Sequence, residues 1–162
     1  MRIRLLGIRV IAVLIALWST TALAGVAVAD APQDGNQLFN PNSGLCLSVS
    51  NGSVDPGSRT EIWNCLGSPS QLWELNSKGQ LLNPNSALCL NTVGYGTKLS
   101  TRTEIWVCND KVALWKFDGV NLVHAQSGLC LNVVGSDIKP GAPTELWYCP
   151  DTPSTKWQWW KQ

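Results

Sequence analysis

Six cysteines are the residues of this 162-residue chain whose spacing most clearly indicates a chemistry. An even number of cysteines is typical of disulfides formed in an oxidising compartment. The alternative is a zinc site, but the chain has no Cys-x-x-Cys motif and a single histidine, His124. The repeated spacing favours three disulfides, because the cysteines form pairs 19 residues apart: Cys46 and Cys65, Cys89 and Cys108, Cys130 and Cys149.

Three glutamates, Glu61, Glu104 and Glu145, hold equivalent positions shortly before the second cysteine of each pair. Equivalent residues of a symmetric fold are expected to lie far apart, whereas glycoside hydrolysis needs two closely spaced carboxyl groups. His124 has no serine or cysteine motif beside it, and we interpret it as a solvated histidine in a loop. The sequence therefore predicts no enzyme, no metal and no other cofactor.

These positions belong to an internal repeat, the strongest pattern in the chain. Each of three segments carries a Leu-Cys-Leu run, then a Thr-Glu-Ile-Trp or Thr-Glu-Leu-Trp run that leads to the second cysteine, and then a further tryptophan. Short apolar runs within each segment are separated by Gly, Pro, Asn and Ser, which predicts an all-β domain of short strands and turns. A period of about 40 residues is also typical of propeller blades, but three repeats favour a three-fold barrel, since propellers close with four to eight blades.

The N-terminal segment has a different composition from the repeats. Three arginines precede an apolar run from Val10 to Trp18, and small residues follow up to Ala29. This pattern is typical of a secretory signal peptide over residues 1–29; a membrane anchor is the alternative, but the run is shorter than the ~20 residues of a spanning helix. We predict secretion, a linker over residues 30–36 and a domain over residues 37–162, with repeats of about 37–79, 80–120 and 121–162. Without residues 1–29 the chain has 9 basic and 11 acidic side chains, a balance that argues against nucleic-acid binding.

The repeated residues resemble the ricin B-chain lectin domain, a β-trefoil in which each of three repeats ends in a Gln-x-Trp signature. The resemblance covers about Gln37 to Trp157 and implies a six-stranded barrel capped by three hairpins, with four strands from each repeat. The signature tryptophans are expected to lie in the core: Trp73, Trp115 and Trp157. The signature glutamine is retained as Gln71 only; Ala113 and Thr155 replace it elsewhere.

The resemblance also implies a carbohydrate site in each repeat. One tryptophan per repeat holds the position of an aromatic platform, on which a hexose stacks because its C–H groups complement the negative face of the ring; packing in the core is the alternative. These platform candidates are Trp63, Trp106 and Trp147. The polar candidates hold three further family positions: Ser48, Asn91 and Asn132; Glu61, Glu104 and Glu145; and Ser70 with Gln71.

Some of these residues depart from the family pattern. Ser48, Asn91 and Asn132 replace a family aspartate, and losing a charged acceptor weakens a site by about 1 kcal/mol or more. An asparagine can still accept one hydrogen bond and donate another. Val112 and Ala113 give the second repeat no polar side chain before its signature tryptophan, so the third and first repeats are expected to bind better.

We therefore predict a secreted, non-catalytic lectin that binds a glycan or polysaccharide through up to three shallow sites. The alternative is a protein-binding trefoil, such as a protease inhibitor or a toxin or adhesion subunit, that has lost sugar binding. Its contact surface would include an exposed aromatic patch in the tail Trp157-Gln158-Trp159-Trp160. A protein partner is left open, whereas neither nucleic acid nor a membrane span of the mature chain is predicted.

Overall fold

The computed structural model describes residues 36–149 and 151–160. The predicted signal peptide, residues 1–29, lies outside the described residues. Within these described residues, five single-turn 3₁₀ helices accompany the strands: Ser50–Gly52, Pro69–Gln71, Val93–Tyr95, Val134–Ser136 and Pro153–Thr155. The strands of the described residues are β1 (Asn36–Asn40), β2 (Leu45–Val49), β3 (Thr60–Trp63), β4 (Leu72–Leu75), β5 (Leu81–Asn83), β6 (Leu88–Thr92), β7 (Thr103–Val107), β8 (Trp115–Asp118), β9 (Asn121–His124), β10 (Cys130–Val133), β11 (Thr144–Trp147) and β12 (Gln158–Trp160).

The strands follow the sequence repeat, with four strands in each of the three segments. The second and third strands of each segment form a hairpin: β2 with β3, β6 with β7 and β10 with β11. The outer strands pair with one another in the order β12–β1–β4–β5 and as β8–β9. Isolated backbone contacts join these two groups. The architecture is all-β and β-trefoil-like.

The hydrophobic core is built from the same positions of each repeat. The signature tryptophans are at most 1% exposed, which confirms the prediction that they pack in the core. Each indole Nε1 donates a hydrogen bond to a leucine carbonyl of its own repeat, because a buried N–H needs a partner. The three bonds are Trp73 to Leu47 at 3.1 Å, Trp115 to Leu90 at 3.0 Å and Trp157 to Leu131 at 3.0 Å.

The three hairpins meet at a ring of threonine hydroxyls. Thr60, Thr103 and Thr144 are buried, and their Oγ1 atoms lie 2.6 to 2.8 Å from one another. Paired backbone hydrogen bonds also join each hairpin to the loop of another repeat, as between Ile62 and residues Gly141 and Ala142. The three repeats therefore hold one another in register near the pseudo-three-fold axis.

The position of His124 corrects the expectation of a solvated loop histidine. The side chain is 2% exposed at the end of β9. Its Nδ1 lies 2.7 Å from Ser127 Oγ, and burial lowers its pKa to about 4. Asn40 and Asn83 make the corresponding contacts with Ser43 and Ser86 in the other repeats. The expectation failed because the equivalent residues in the other repeats are buried turn-capping asparagines, and His124 takes over that role.

Three disulfides stabilise the domain. Their Cα atoms lie 5.1 to 5.2 Å apart, between Cys46 and Cys65, Cys89 and Cys108, and Cys130 and Cys149. Each bond joins the first strand of a hairpin to the segment that follows the second strand of that hairpin. Among the described residues, no helix is long and apolar enough to cross a membrane.

Candidate functional site

The first repeat forms a pocket beside its hairpin. The register of β2 and β3 places Ser48 opposite Glu61, and Trp63 ends β3 with 40% of its surface exposed. A polar turn completes the wall through Ser70. The pocket has a volume of about 260 Å³ and is lined by Ser48, Val49, Asn51, Gly52, Glu61, Trp63, Leu66, Ser68 and Ser70.

Hydroxyl groups surround the carboxylate of the first pocket. Ser50 Oγ donates to Glu61 Oε2 at 2.9 Å. Ser70 Oγ lies 3.4 Å from Ser48 Oγ and 3.1 Å from Ser68 Oγ. A hydroxyl donates one hydrogen bond and accepts two, so the wall presents both donors and acceptors to a ligand.

The third repeat forms a matching pocket of about 300 Å³. Asn132 lies opposite Glu145 in the register of β10 and β11, and its Nδ2 donates to Glu145 Oε1 at 3.4 Å. The amide oxygen of Asn132 is buried without a hydrogen-bond partner among the described residues. Trp147, 37% exposed, forms the aromatic wall. The full lining is Asn132, Gly135, Ser136, Glu145, Trp147, Thr152 and Ser154.

The second repeat has the same register but different chemistry. Its Asn91 is already used by the protein: Oδ1 accepts from the Ala113 backbone at 3.0 Å. Tyr95 stands where the first repeat has Gly52, six residues after the first cysteine. Asn109 likewise stands where the first repeat has Leu66. Its Nδ2 donates to the Tyr95 hydroxyl at 3.4 Å, so a hydrogen bond here joins the two positions whose counterparts line the first pocket.

Two of the three platform candidates, Trp63 and Trp106, contact another repeat. A Cβ placed on Gly141 of the third repeat would lie 3.7 Å from the Trp63 ring, and one placed on Gly57 of the first repeat would lie 3.6 Å from the Trp106 ring. Part of each of these two rings thus packs against another repeat. Trp63 and Trp147 are exposed, whereas Trp106 is only partly exposed.

Gln71 is the predicted site residue that the structure separates from its pocket. It is fully buried, and its Nε2 donates to the Asn64 carbonyl at 2.6 Å. Its Oε1 accepts from Leu66 N at 2.8 Å and from Gln37 Nε2 at 3.0 Å. The side chain holds the loop that carries Leu66 into the pocket wall, and it is not among the residues that line the pocket.

Several lining residues escaped the sequence analysis. Gly52, Tyr95 and Ser136 all stand six residues after the first cysteine of their repeat, and two of them line the pockets. An alignment of the three repeats gives this equivalence directly. It does not give the conformation that turns the position towards the hairpin: a 3₁₀ turn with left-handed φ values at its second residue.

The pockets of the first and third repeats are the two open pockets, and each combines one exposed indole, one carboxylate and several hydroxyl or amide groups. This is the chemistry that holds a small polyhydroxylated ligand, because a ring face packs on the indole while polar side chains fix its orientation. The volumes stand at or below the lower end of the roughly 300–1,000 Å³ typical of small-molecule sites. The arrangement therefore suits a shallow contact with one ring rather than enclosure of a large molecule.

Comparison with known proteins places these residues in a family. The model of the ricin-type beta-trefoil lectin domain matches residues 35–157 of the chain. The match covers all three hairpins and both pockets.

Solved structures share the fold at low sequence identity. A designed three-fold symmetric protein, ThreeFoil, has a TM-score of 0.70 and 20% identity over 78% of this chain and 98% of its own. The C-half of an earthworm R-type lectin, solved in complex with GalNAc, has a TM-score of 0.67 and 17% identity over 76% and 95%. An exo-β-1,3-galactanase from Clostridium thermocellum has a TM-score of 0.71 and 22% identity over 79% of this chain but only 30% of its own. At these identities the likeness shows the fold alone.

Proposed function

The chain belongs to the ricin-type β-trefoil lectin family, and on that premise we propose that it is a secreted, non-catalytic lectin that binds glycans through shallow surface sites. The observation that carries the proposal is the pairing of an exposed indole with a polar pocket in two repeats. Trp63 and Trp147 are 40% and 37% exposed, and each lines a pocket of about 260 or 300 Å³. A tryptophan that packs in the hydrophobic core would instead be covered by apolar neighbours, as Trp73 is.

We assign sugar binding to the first and third repeats before the second. The first and third pockets keep hydroxyl or amide groups beside the platform, including the Asn132 oxygen, which has no hydrogen-bond partner among the described residues. In the second repeat, Asn91 is used by the backbone of Ala113, and Tyr95 is bridged to Asn109. Two weak sites on one domain can raise the avidity for a polymeric glycan by about 10² or more when both engage the same chain.

The absence of catalysis is part of the proposal and is supported by the distribution of carboxylates. Each open pocket has one acidic residue among its lining residues, Glu61 in the first and Glu145 in the third. Glycoside hydrolysis uses two carboxyl groups about 5 to 9.5 Å apart across one bond. A single carboxylate in a shallow pocket suits a hydrogen-bond acceptor for sugar hydroxyls.

Secretion is supported by the disulfides and by the N-terminal sequence. Three disulfides are typical of a chain that folds in an oxidising compartment. We propose that every repeat keeps its own disulfide, which in the chain-entropy model contributes about 3 kcal/mol for a loop of this length. Sequencing of the exported chain is expected to give an N-terminus at Asp30, the residue after the predicted cleavage site.

A glycan array probed with the oxidised protein tests the function. The array should include galactosides, plant and microbial polysaccharides and amino sugars, because the altered polar residues do not favour galactose. We expect saturable binding to at least one glycan, lost in a Trp63→Ala, Trp147→Ala double variant that still unfolds cooperatively. If no glycan binds while a pull-down from secreted proteins returns a partner, the protein-binding alternative replaces the lectin proposal.

A further inference from the structure

The carboxylate of the first pocket differs from its two counterparts in its neighbours. Each of the three glutamates faces a residue of another repeat across an isolated antiparallel backbone bridge. Side chains of such pairs project together, with Cβ atoms about 4.5–5.5 Å apart. The three pairs are Arg59 with Glu104, Arg102 with Glu145, and Pro143 with Glu61.

Two of the glutamates therefore face a guanidinium. Arg59 Nη1 lies 3.4 Å from Glu104 Oε2 in an ion pair. Arg102 stands opposite Glu145 across the backbone bridge, but among the described residues the two side chains do not come within ion-pair distance, and the Arg102 Nη1 is buried without a hydrogen-bond partner there. Each cation lowers the negative potential at the carboxylate that it faces.

Glu61 faces Pro143, which has no charge and no side-chain donor. Among the described residues, no Lys, Arg or His nitrogen forms an ion pair with Glu61. Its hydrogen bond comes from a neutral hydroxyl, Ser50 Oγ at 2.9 Å. The linings of the first and third pockets both lack a basic residue, so the difference between Glu61 and Glu145 is the residue that each faces across the bridge.

The first pocket also leaves Glu61 more accessible. Glu104 and Glu145 are 7% and 6% exposed, whereas Glu61 is only partly buried. An asparagine amide reaches each of the other two carboxylates, at 3.5 Å from Asn91 and 3.4 Å from Asn132. Ser48 is too short for that role and bonds to its own surroundings instead.

We propose that the first pocket selects a sugar that carries a free ammonium group, a hexosamine whose amine is not acetylated. The ring would pack on Trp63, and the ammonium would donate to Glu61, the one charged side chain in the lining. Hydrogen bonds with a charged partner are stronger than neutral ones, which corresponds to a preference of about tenfold over the acetylated sugar. This inference rests on the proposed lectin function.

The test compares four immobilised probes: oligosaccharides of glucosamine and of galactosamine, each with its fully N-acetylated counterpart. Binding of the oxidised protein is measured at low ionic strength and again at high salt. We expect at least one free amine to bind about tenfold more tightly than its acetylated form, and this ratio to fall as salt screens the charges. Because each ratio compares the free and acetylated forms of the same sugar, contacts made by the rest of the sugar ring contribute equally to both affinities and cancel.

Two substitutions attribute the preference to this carboxylate. Glu61→Gln keeps the size of the side chain and the bond from Ser50 but removes the charge, and Pro143→Arg supplies the cation that the other two repeats have. Both are expected to bring the ratio close to one. The matched controls are Glu74→Gln at an exposed position of β4 and Pro56→Arg on another loop, which should leave the ratio unchanged.

The outcomes separate the two proposals. Equal binding of free and acetylated probes by the unaltered protein overturns the amino-sugar inference but leaves the lectin function standing. A preference that survives both Glu61→Gln and Pro143→Arg also overturns it, because another group must then hold the ammonium. If neither these probes nor any glycan of a broad array binds, the lectin function itself fails.

Discussion

Removal of one exposed indole is the perturbation whose effect can be worked out most directly from the structure. At 40% exposure, about 100 Å² of the Trp63 side chain is open to solvent. A sugar ring that covers half of this area removes about 50 Å² of apolar surface from water, which contributes about 1.2 kcal/mol. Ring geometry adds roughly 0.5–1.5 kcal/mol. Trp63→Ala should therefore weaken the first site by about 2 kcal/mol, close to thirtyfold.

Isothermal titration with a monovalent saccharide measures this loss without the contribution of avidity. Trp147→Ala should give a loss of similar size in the third site, since Trp147 is 37% exposed. Trp160→Ala is the matched control, because Trp160 is also 40% exposed but packs against Phe39 on β1, away from both pockets. The Trp160→Ala variant should bind the saccharide with the affinity of the unaltered protein.

The platform role of Trp63 and Trp147 is refuted if Trp160→Ala weakens binding as much as Trp63→Ala or Trp147→Ala does. It is refuted equally if both pocket variants bind with the affinity of the unaltered protein. A thermal unfolding curve for every variant separates these results from loss of the fold, because the Trp63 ring also packs against another repeat.

Two further predictions concern stability. Burial lowers the pKa of His124 to about 4, so the unfolded chain binds a proton more readily, and stability that is complete above about pH 6.5 is lost as the pH falls towards 4. Urea unfolding should show a loss of about 2 kcal/mol between pH 7 and about pH 4.5 that is absent in His124→Asn; an equal loss in both proteins would contradict this origin. Thr103→Val breaks the buried hydroxyl ring and should cost about 1–3 kcal/mol. Thr92→Val should be neutral or stabilising, because Thr92 Oγ1 is buried without a partner in the described part of the chain, and a larger loss there than at Thr103 would refute the role of the ring.

The core and the fold could be predicted because they depend on features that repeat along the chain. A tryptophan at the same place in three segments, followed by turn residues, can be recognised without knowledge of any contact. The structure accordingly buries Trp73, Trp115 and Trp157 in equivalent positions with equivalent hydrogen bonds. Each repeat contributes four strands, as the family resemblance implied.

The errors and omissions concern residues that are equivalent in position but different in type. His124 was interpreted from its own chemistry as a solvated residue, although Asn40 and Asn83 mark its position as a buried turn cap. Gln71 belongs to a site motif in the sequence, but its amide is used to hold the loop after Asn64. A motif identifies a position, whereas the hydrogen bonds made by its neighbours decide whether the side chain is free for a ligand.

Contacts between repeats could not be predicted from one segment at a time. The residue that faces Glu61 is Pro143, far along the sequence in another repeat. The bridge from Asn109 to Tyr95 likewise depends on a loop conformation that the repeat pattern does not encode. These contacts make three sites of common origin chemically unequal.

Indole N–H signals in ¹H–¹⁵N spectra report on each tryptophan separately during titration with a saccharide that binds. They therefore test whether the rings of Trp63 and Trp147 are the sugar-binding platforms. The platform role of these two rings predicts progressive shifts at Trp63 and Trp147, with the indole signals of Trp73, Trp115 and Trp157 unchanged as buried internal references. Saturable binding that shifts Trp160 alone, or that leaves Trp63 and Trp147 unmoved, would contradict it.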